Sequence, residues 1–292
     1  MQKQKVSLII TDLDNTLFDW VDIWYRCFSA MLAEVQKISG LTSDTLIPEI
    51  REIHQRHATS EYAFLIEEIP SLRRMFPDSN LIEVFGPAIK AFREARRAHL
   101  NLFPNVAETL LKIKGKGAEI VGYTESLSFY SNYRVRRLGL DGVIDAVYSP
   151  RDHGLPAGMQ PKAFRRYSDS HYNFKYTKEK HTPKGELKPN PDILRSIIKG
   201  MKVPMENCVY LGDSLFKDVA MAKEVGVTAV WASYGVAQSR SEYDLLREVT
   251  HWSADSVQIE KDTSNANVIP DHVLKTSIAE IMDIFEFVGL SK

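Results

Sequence analysis

Four short runs of consecutive apolar residues recur along the chain: VSLIITD, AEIVGYT, NCVYLGD and GVTAVWAS. None alternates apolar with polar, the pattern of a strand covered on both faces by helices. Each is followed by a turn and then by apolar residues at helical spacing. In KPNPDILRSIIKG, Asn190 is placed to cap a helix, Pro191 suits its first turn, and Gly200 suits the position just past its end. In FPNVAETLLKIKGKG, Asn105 is the expected cap, and Gly115 or Gly117 the stop. Strand, helix and strand repeated in this way predict an α/β fold with a Rossmann-like, doubly wound parallel sheet.

Two regions break the alternation. Residues 20–100 carry apolar positions three and four apart, as in CFSAMLAEVQKI and EVFGPAIKAFREA, and predict a separate helical unit inserted after the first strand. The core is then discontinuous, 1–19 plus 101–292. Residues 150–187 form a turn-rich insert that mixes Arg165, Arg166, Lys175, Lys178 and Lys180 with Phe164, Tyr167, Tyr172, Phe174 and Tyr176. Basic and aromatic residues interleaved can grip a nucleotide or single strand. A surface loop or short lid is the other reading of a loop this long.

Composition narrows the picture. The 292 residues are 44% hydrophobic and 26% charged with a net charge of −1, so bulk electrostatics call for neither nucleic acid nor an anionic membrane. No apolar run approaches the roughly 18 residues of a membrane span. Two cysteines, Cys27 and Cys208, make no disulfide framework. The start, MQKQKVSLII, enters a core strand with no small-residue cleavage site after it. These features predict a reducing, cytoplasmic setting, and they leave the oligomeric state open.

The chemistry lies where the apolar runs end, because open parallel sheets bind ligands beyond the carboxyl ends of their strands. The first run ends on Asp12 and Asp14, the second on Thr124, and the third on Asp213, with Asp218 five residues on. Lys188 stands just before the helix that starts at Pro191, with Lys184 as a nearby competitor. Residues two apart on a strand face one way, so Asp12 and Asp14 can share a site while the strand persists. Two carboxylates about 4 Å apart repel by roughly 4 kcal/mol at an effective dielectric near 20. A cation relieves that repulsion, and hard oxygen ligands with room for water and phosphate suit Mg²⁺. Such a constellation fits phosphoryl transfer, which depends on positioning and on neutralising oxygen charge. The Thr124 hydroxyl and the backbone N–H groups of Glu125 and Ser126 after it can hold phosphoryl oxygens.

DLDNT (Asp12 to Thr16), Thr124, Lys188 in KPNPD and GDSLFKD (Gly212 to Asp218) together resemble the four motifs of the haloacid dehalogenase superfamily, in order and spacing. The resemblance covers about 1–19 and 101–240. It implies that Asp12 is a nucleophile and Mg²⁺ ligand. Asp14 is then the general acid/base and lends its backbone carbonyl to the metal. Thr124 binds phosphate, Lys188 neutralises charge, Asp213 ligates Mg²⁺ and Asp218 supports its neighbours. Residues 20–100 sit where members with a helical cap carry it. Dehalogenases of the superfamily lack an acid matching Asp14, so a phosphomonoesterase on a small soluble phosphorylated metabolite is expected. A phosphotransferase or phosphomutase on the same groups, and an idle phosphate-sensing or scaffold protein, stay open. In the helical unit, His54, His57 and Glu61 share helical spacing and could hold a metal, or form a solvated face. Arg56, Tyr62, Trp20 and Trp24 are candidates for substrate contact or for packing.

Overall fold

The computed structural model describes residues 3–152, 154, 168–255, 257–258 and 268–290. Nine strands are present among them: β1 Gln4–Val6, β2 Leu8–Thr11, β3 Glu119–Tyr123, β4 Ala146–Ser149, β5 Lys178–His181, β6 Cys208–Gly212, β7 Thr228–Ala232, β8 His272–Leu274 and β9 Phe285–Phe287. Seven of these form one sheet in the order β5-β4-β3-β2-β6-β7-β8. Every neighbouring pair in it is parallel. The chain builds outward from β2 in both directions, through β3 on one side and β6 on the other. The strand order therefore reverses at β2, and the clefts at such a reversal are where α/β sheets bind ligands.

Burial explains why the apolar runs became strands. All four residues of β2 and all five of β6 are buried. The helix Pro191–Met201 sets Leu194, Ile197 and Ile198 into one cluster with Leu8, Ile10, Tyr123 and Tyr210. Asn190 caps that helix as expected, its side-chain oxygen accepting from Ile193 N at 3.1 Å. The helix runs through Gly200, however, and ends at Met201 with Lys202 left-handed at φ 58°. Asn105 makes no cap for Val106–Gly115. Its backbone is left-handed at φ 66° and its amide donates to Ser277 Oγ at 3.1 Å.

Part of the 150–187 insert is sheet rather than loop. Lys178–His181 pairs in parallel with β4 as the outermost strand. Its sequence, KEKH, is charged because it is an edge with little burial, and edge strands are often charged for this reason. The segment before it is pinned from behind: Asp141 accepts from the amides of Lys175, Tyr176 and Thr177 at 2.8, 3.0 and 2.9 Å. Phe164, Arg165, Arg166 and Tyr167 lie outside the described residues.

Two compact units divide the chain, one holding the sheet and the other made of Trp20–Leu100 with Ala237–Asp262. The second range departs from the expectation that all of 101–292 belongs to the core. The reason is the amphipathic helix Glu242–Val249, which buries Tyr243, Leu246 and Val249 against the helices Trp20–Ser39 and Ser43–His57. Arg51 donates to the carbonyls of Arg247 and Glu248, both at 3.2 Å, and so satisfies acceptors at that helix end. His54 Nδ1 lies 2.7 Å from the Val249 carbonyl, which makes it the donor in the neutral ring.

Burial pushes the His54 imidazole down from 6.5 to about 4, against the Val249 carbonyl, which favours the charged form. A depressed histidine contributes stability that is whole above pH 6.5 and is lost as pH falls toward 4, since the unfolded chain takes up the proton first. The expected loss across that window is roughly 3 kcal/mol. Urea midpoints measured from pH 7 to pH 4 test it: the His54→Gln variant starts less stable and lacks this part of the slope. Parallel curves for the two proteins would show that His54 is not the group responsible.

Candidate active site

Strand β2 ends at Thr11, one residue before the acids. Asp12 N still donates to Leu211 O of β6 at 2.8 Å, but then the chain turns: Leu17 N bonds back to Leu13 O at 2.9 Å and Asn15 is left-handed at φ 57°. Asn tolerates that conformation better than most residues. The turn after β7 presses close, and a Cβ on Gly235 would lie 1.7 Å from Asn15 O, so only glycine fits there. Because the strand stops before Asp12, the alternation that would let Asp12 and Asp14 share a face does not reach them. Their carboxylates go to different partners.

Asp12 faces Lys188, whose Nζ donates to Asp12 Oδ1 at 2.7 Å and to Asp218 Oδ1 at 2.9 Å. The ammonium also lies 5.2 Å from the Tyr123 ring centroid and 5.9 Å from that of Tyr210. Lys188 is buried beside these acids, whereas the other candidate, Lys184, is exposed. Asp218 additionally accepts from Tyr210 OH at 3.0 Å and from Ser214 N at 3.1 Å. Its carboxylate packs so tightly on β6 that a Cβ on Gly212 would meet it at 2.3 Å. Glu125, expected among the substrate-binding groups, braces this assembly. One oxygen accepts from Lys188 N at 2.9 Å and the other from Lys217 Nζ at 2.5 Å. Burial alone would raise the Glu125 carboxyl, but Lys217 and Lys188 hold it below its usual range.

The charges of this centre do not balance. Burial pushes Asp12 up to about 8 despite the nearby Lys188 charge, with Asp218 and Asp14 adding to the rise. Burial with the charges of Asp218 and Asp12 also raises Asp213 well above the carboxylate range. Carboxylate oxygens of Asp12, Asp213 and Asp218 all lie within 4.8 Å of one another, the one such group of three metal-ligating side chains among the described residues. Asp218 already accepts three hydrogen bonds. Asp12 and Asp213 therefore have the greater capacity to bind an ion, and their donors are hard oxygens. The donor set fits a hard cation.

A second cluster surrounds Asp14. Its Oδ2 accepts from Thr124 Oγ1 at 3.0 Å and Ser126 Oγ at 2.8 Å, and its Oδ1 from Arg134 Nη1 at 3.2 Å. The Ser126 amide, a predicted phosphate donor, is itself bonded to Thr124 Oγ1 at 3.0 Å. Arg134 was missed by the sequence reading. Helical periodicity does hold a signal for it, since Arg134 lies four residues after Tyr130 and three after Ser131, both buried on the helix Ser128–Arg137. Tyr210, which secures Asp218, was also missed, because inside NCVYLGD it reads as one more apolar strand residue.

The helical unit does not gather the metal candidates. His54 bonds Val249 O, whereas His57 Nε2 lies 2.9 Å from Glu68 Oε2. Arg56 and Tyr62 also turn to Glu68, at 3.1 and 2.5 Å. Trp24 stacks on Phe28 at 4.8 Å, donates to Ser60 O at 3.0 Å, and lies 6.4 Å from Trp20, an arrangement of packing aromatics.

A parallel α/β sheet with buried acids and a lysine at its topological switch places a charged ligand site where α/β proteins bind their ligands. Residues 6–226 match the haloacid dehalogenase-like hydrolase family; the chain belongs to it and is a hydrolase. Among curated relatives, the glyceraldehyde 3-phosphate phosphatase of Pyrococcus furiosus is 24% identical over 242 residues, spanning 80% of this chain and 82% of that one. The phosphatase of the same name from Methanopyrus kandleri is 20% identical over 231 residues, spanning 77% and 83%. The solved structure of a 2-haloacid dehalogenase from Pseudomonas syringae shares the fold, with a TM-score of 0.54, 19% identity and coverage of 96% and 97%. No helix among the described residues is long and apolar enough to cross a membrane.

Asp218→Asn keeps the size of the side chain and removes its charge from beside a buried ammonium. The expected cost is about 3 kcal/mol, the scale for breaking a buried ion pair, measured by urea denaturation. A loss below about 1 kcal/mol would show that Asp12 alone suffices to hold Lys188 in place.

Proposed function

We propose that this protein is a Mg²⁺-dependent phosphomonoester hydrolase that acts on a small phosphorylated metabolite through an aspartyl-phosphate. The observation that carries the proposal is the convergence of Asp12, Lys188, Asp213 and Asp218 at the ends of β2 and β6, with the Asp14 cluster beside them. The relatives named glyceraldehyde 3-phosphate phosphatase support the same reading and make triose phosphates the first substrates to try.

In this mechanism an Asp12 oxygen attacks phosphorus, and the ester oxygen departs with the proton carried by Asp14. Asp14 then takes a proton from water as that water attacks the phosphoryl group, releasing inorganic phosphate and restoring the Asp12 carboxylate. The Lys188 ammonium keeps Asp12 aligned and offsets charge building on the phosphoryl oxygens. Thr124 and Ser126 supply hydroxyl donors to those oxygens. Asp12 and Asp213, with the Asp14 backbone carbonyl implied by the family resemblance, would hold Mg²⁺. When bound, that ion neutralises carboxylate and phosphate charge together. The helical unit is read as the cap that restricts substrate size.

Hydrolysis of an aryl phosphate, followed by release of inorganic phosphate, tests the reading. Asp12→Asn is expected to abolish turnover, and chelation to do so reversibly. Mg²⁺ is expected to raise the melting temperature of the wild-type protein but not that of Asp213→Asn. Undiminished turnover by Asp12→Asn would overturn the mechanism.

A further inference from the structure

We infer that Arg134, Thr124 and Ser126 form an anion cradle which the Asp14 carboxylate fills in the resting protein, so that substrate phosphate enters by displacing Asp14. This rests on the hydrolase reading above and adds a binding residue, Arg134, and an order of events.

A serine or threonine hydroxyl has one hydrogen to donate. That of Thr124 is directed to Asp14 Oδ2 at 3.0 Å, and that of Ser126 to the same oxygen at 2.8 Å. The Ser126 amide is spent on Thr124 Oγ1. While Asp14 stays, neither hydroxyl can donate to a phosphoryl oxygen. The two expected roles, acid/base for Asp14 and phosphate grip for the hydroxyls, exclude each other in this arrangement.

Arg134 ties the cluster together. Its side chain is 6% exposed, and Nη1 donates to Asp14 Oδ1 at 3.2 Å and to Ser126 Oγ at 3.0 Å. The guanidinium lies 5.9 Å from the Phe18 ring centroid and 5.7 Å from that of Tyr130, which fix its position. A buried guanidinium bonded to the Ser126 hydroxyl, with the Thr124 hydroxyl on the same carboxylate, is an anion site by its chemistry. At present the Asp14 carboxyl group occupies it. A phosphate monoester brings close to two negative charges and more acceptor oxygens, so it competes well for the same donors. Once displaced, Asp14 is released to carry protons. Its release then depends on an anion arriving, which keeps the acid/base out of play in the empty site.

The competition has a thermodynamic signature. Arg134 stabilises Asp14 in the resting state and phosphate in the bound state, so its effects largely cancel in the wild-type protein. Removing Asp14 removes one side of that cancellation. The test is a double-mutant cycle on binding of inorganic phosphate by calorimetry, with Mg²⁺ saturating. Asp14→Ala is expected to tighten phosphate binding. Arg134→Lys is expected to change it less than about threefold in the wild-type background, but to weaken it about tenfold or more in Asp14→Ala, the scale of one charge-assisted hydrogen bond. Arg134→Gln provides a second variant should the lysine find the same donors, and near-ultraviolet dichroism checks that each is folded. Equal losses in both backgrounds would overturn the competition, since they would mean simple charge attraction without displacement. Turnover of phosphomonoesters alongside equal losses leaves the hydrolase reading intact, whereas a wild-type protein that neither turns over esters nor binds phosphate overturns both.

Discussion

A buried ammonium is the constraint on which the rest of the molecule depends. Lys188 lies between Asp12 and Asp218, at 2.7 and 2.9 Å, away from solvent. An unpaired charge in that position would be prohibitive, so the lysine needs a carboxylate partner there and has two. With Asp213 included, three carboxylates face one ammonium, and full ionisation leaves two negative charges in excess. Burial, with that surplus added to it, raises Asp12 and Asp213, and the surplus negative charge favours a cation at this centre.

Meeting this constraint recruits residues that have no chemistry of their own. Tyr210 and the Ser214 amide donate to Asp218 and hold its carboxylate in place beside Lys188. Glu125 holds the Lys188 backbone and Lys217 at once, joining the loop after β3 to the loop before the helix Pro191–Met201 and to the helical turn Leu215–Val219 after β6. Gly212 and Gly235 have no side chain because a carboxylate or a carbonyl occupies the space. Rigidity around the charged groups comes from these contacts, and a preorganised set of charges needs little rearrangement when a ligand arrives.

Where burial on both faces dominates, local pattern and structure agree. VSLIITD, AEIVGYT, NCVYLGD and GVTAVWAS all contain strands of the main sheet, since a fully buried parallel strand must be apolar throughout. Agreement fails at the margins. The edge strand Lys178–His181 is charged and shows no burial pattern. The strands His272–Leu274 and Phe285–Phe287 are three residues long, too short to display a period. Asn105 looks like a cap in sequence, yet its amide finds Ser277, which is 172 residues away.

The motif residues Asp12, Asp14, Thr124, Lys188, Asp213 and Asp218 were readable from the chain because each follows an apolar run or, for Lys188, stands just before a capped helix, and the topology of a parallel sheet carries strand ends and helix starts to one edge. Their type and rough location are therefore local properties. How they divide is not. The turn at Asn15 sends Asp12 to Lys188 and Asp14 to Thr124, Ser126 and Arg134, an outcome decided by contacts among residues more than a hundred positions apart. Residues 237–258 likewise joined the helical unit, because the apolar face of Glu242–Val249 finds its burial there. Backbone preference and periodicity act over a few residues, whereas the pairing of buried charges and apolar faces is settled only when the whole chain has closed around them.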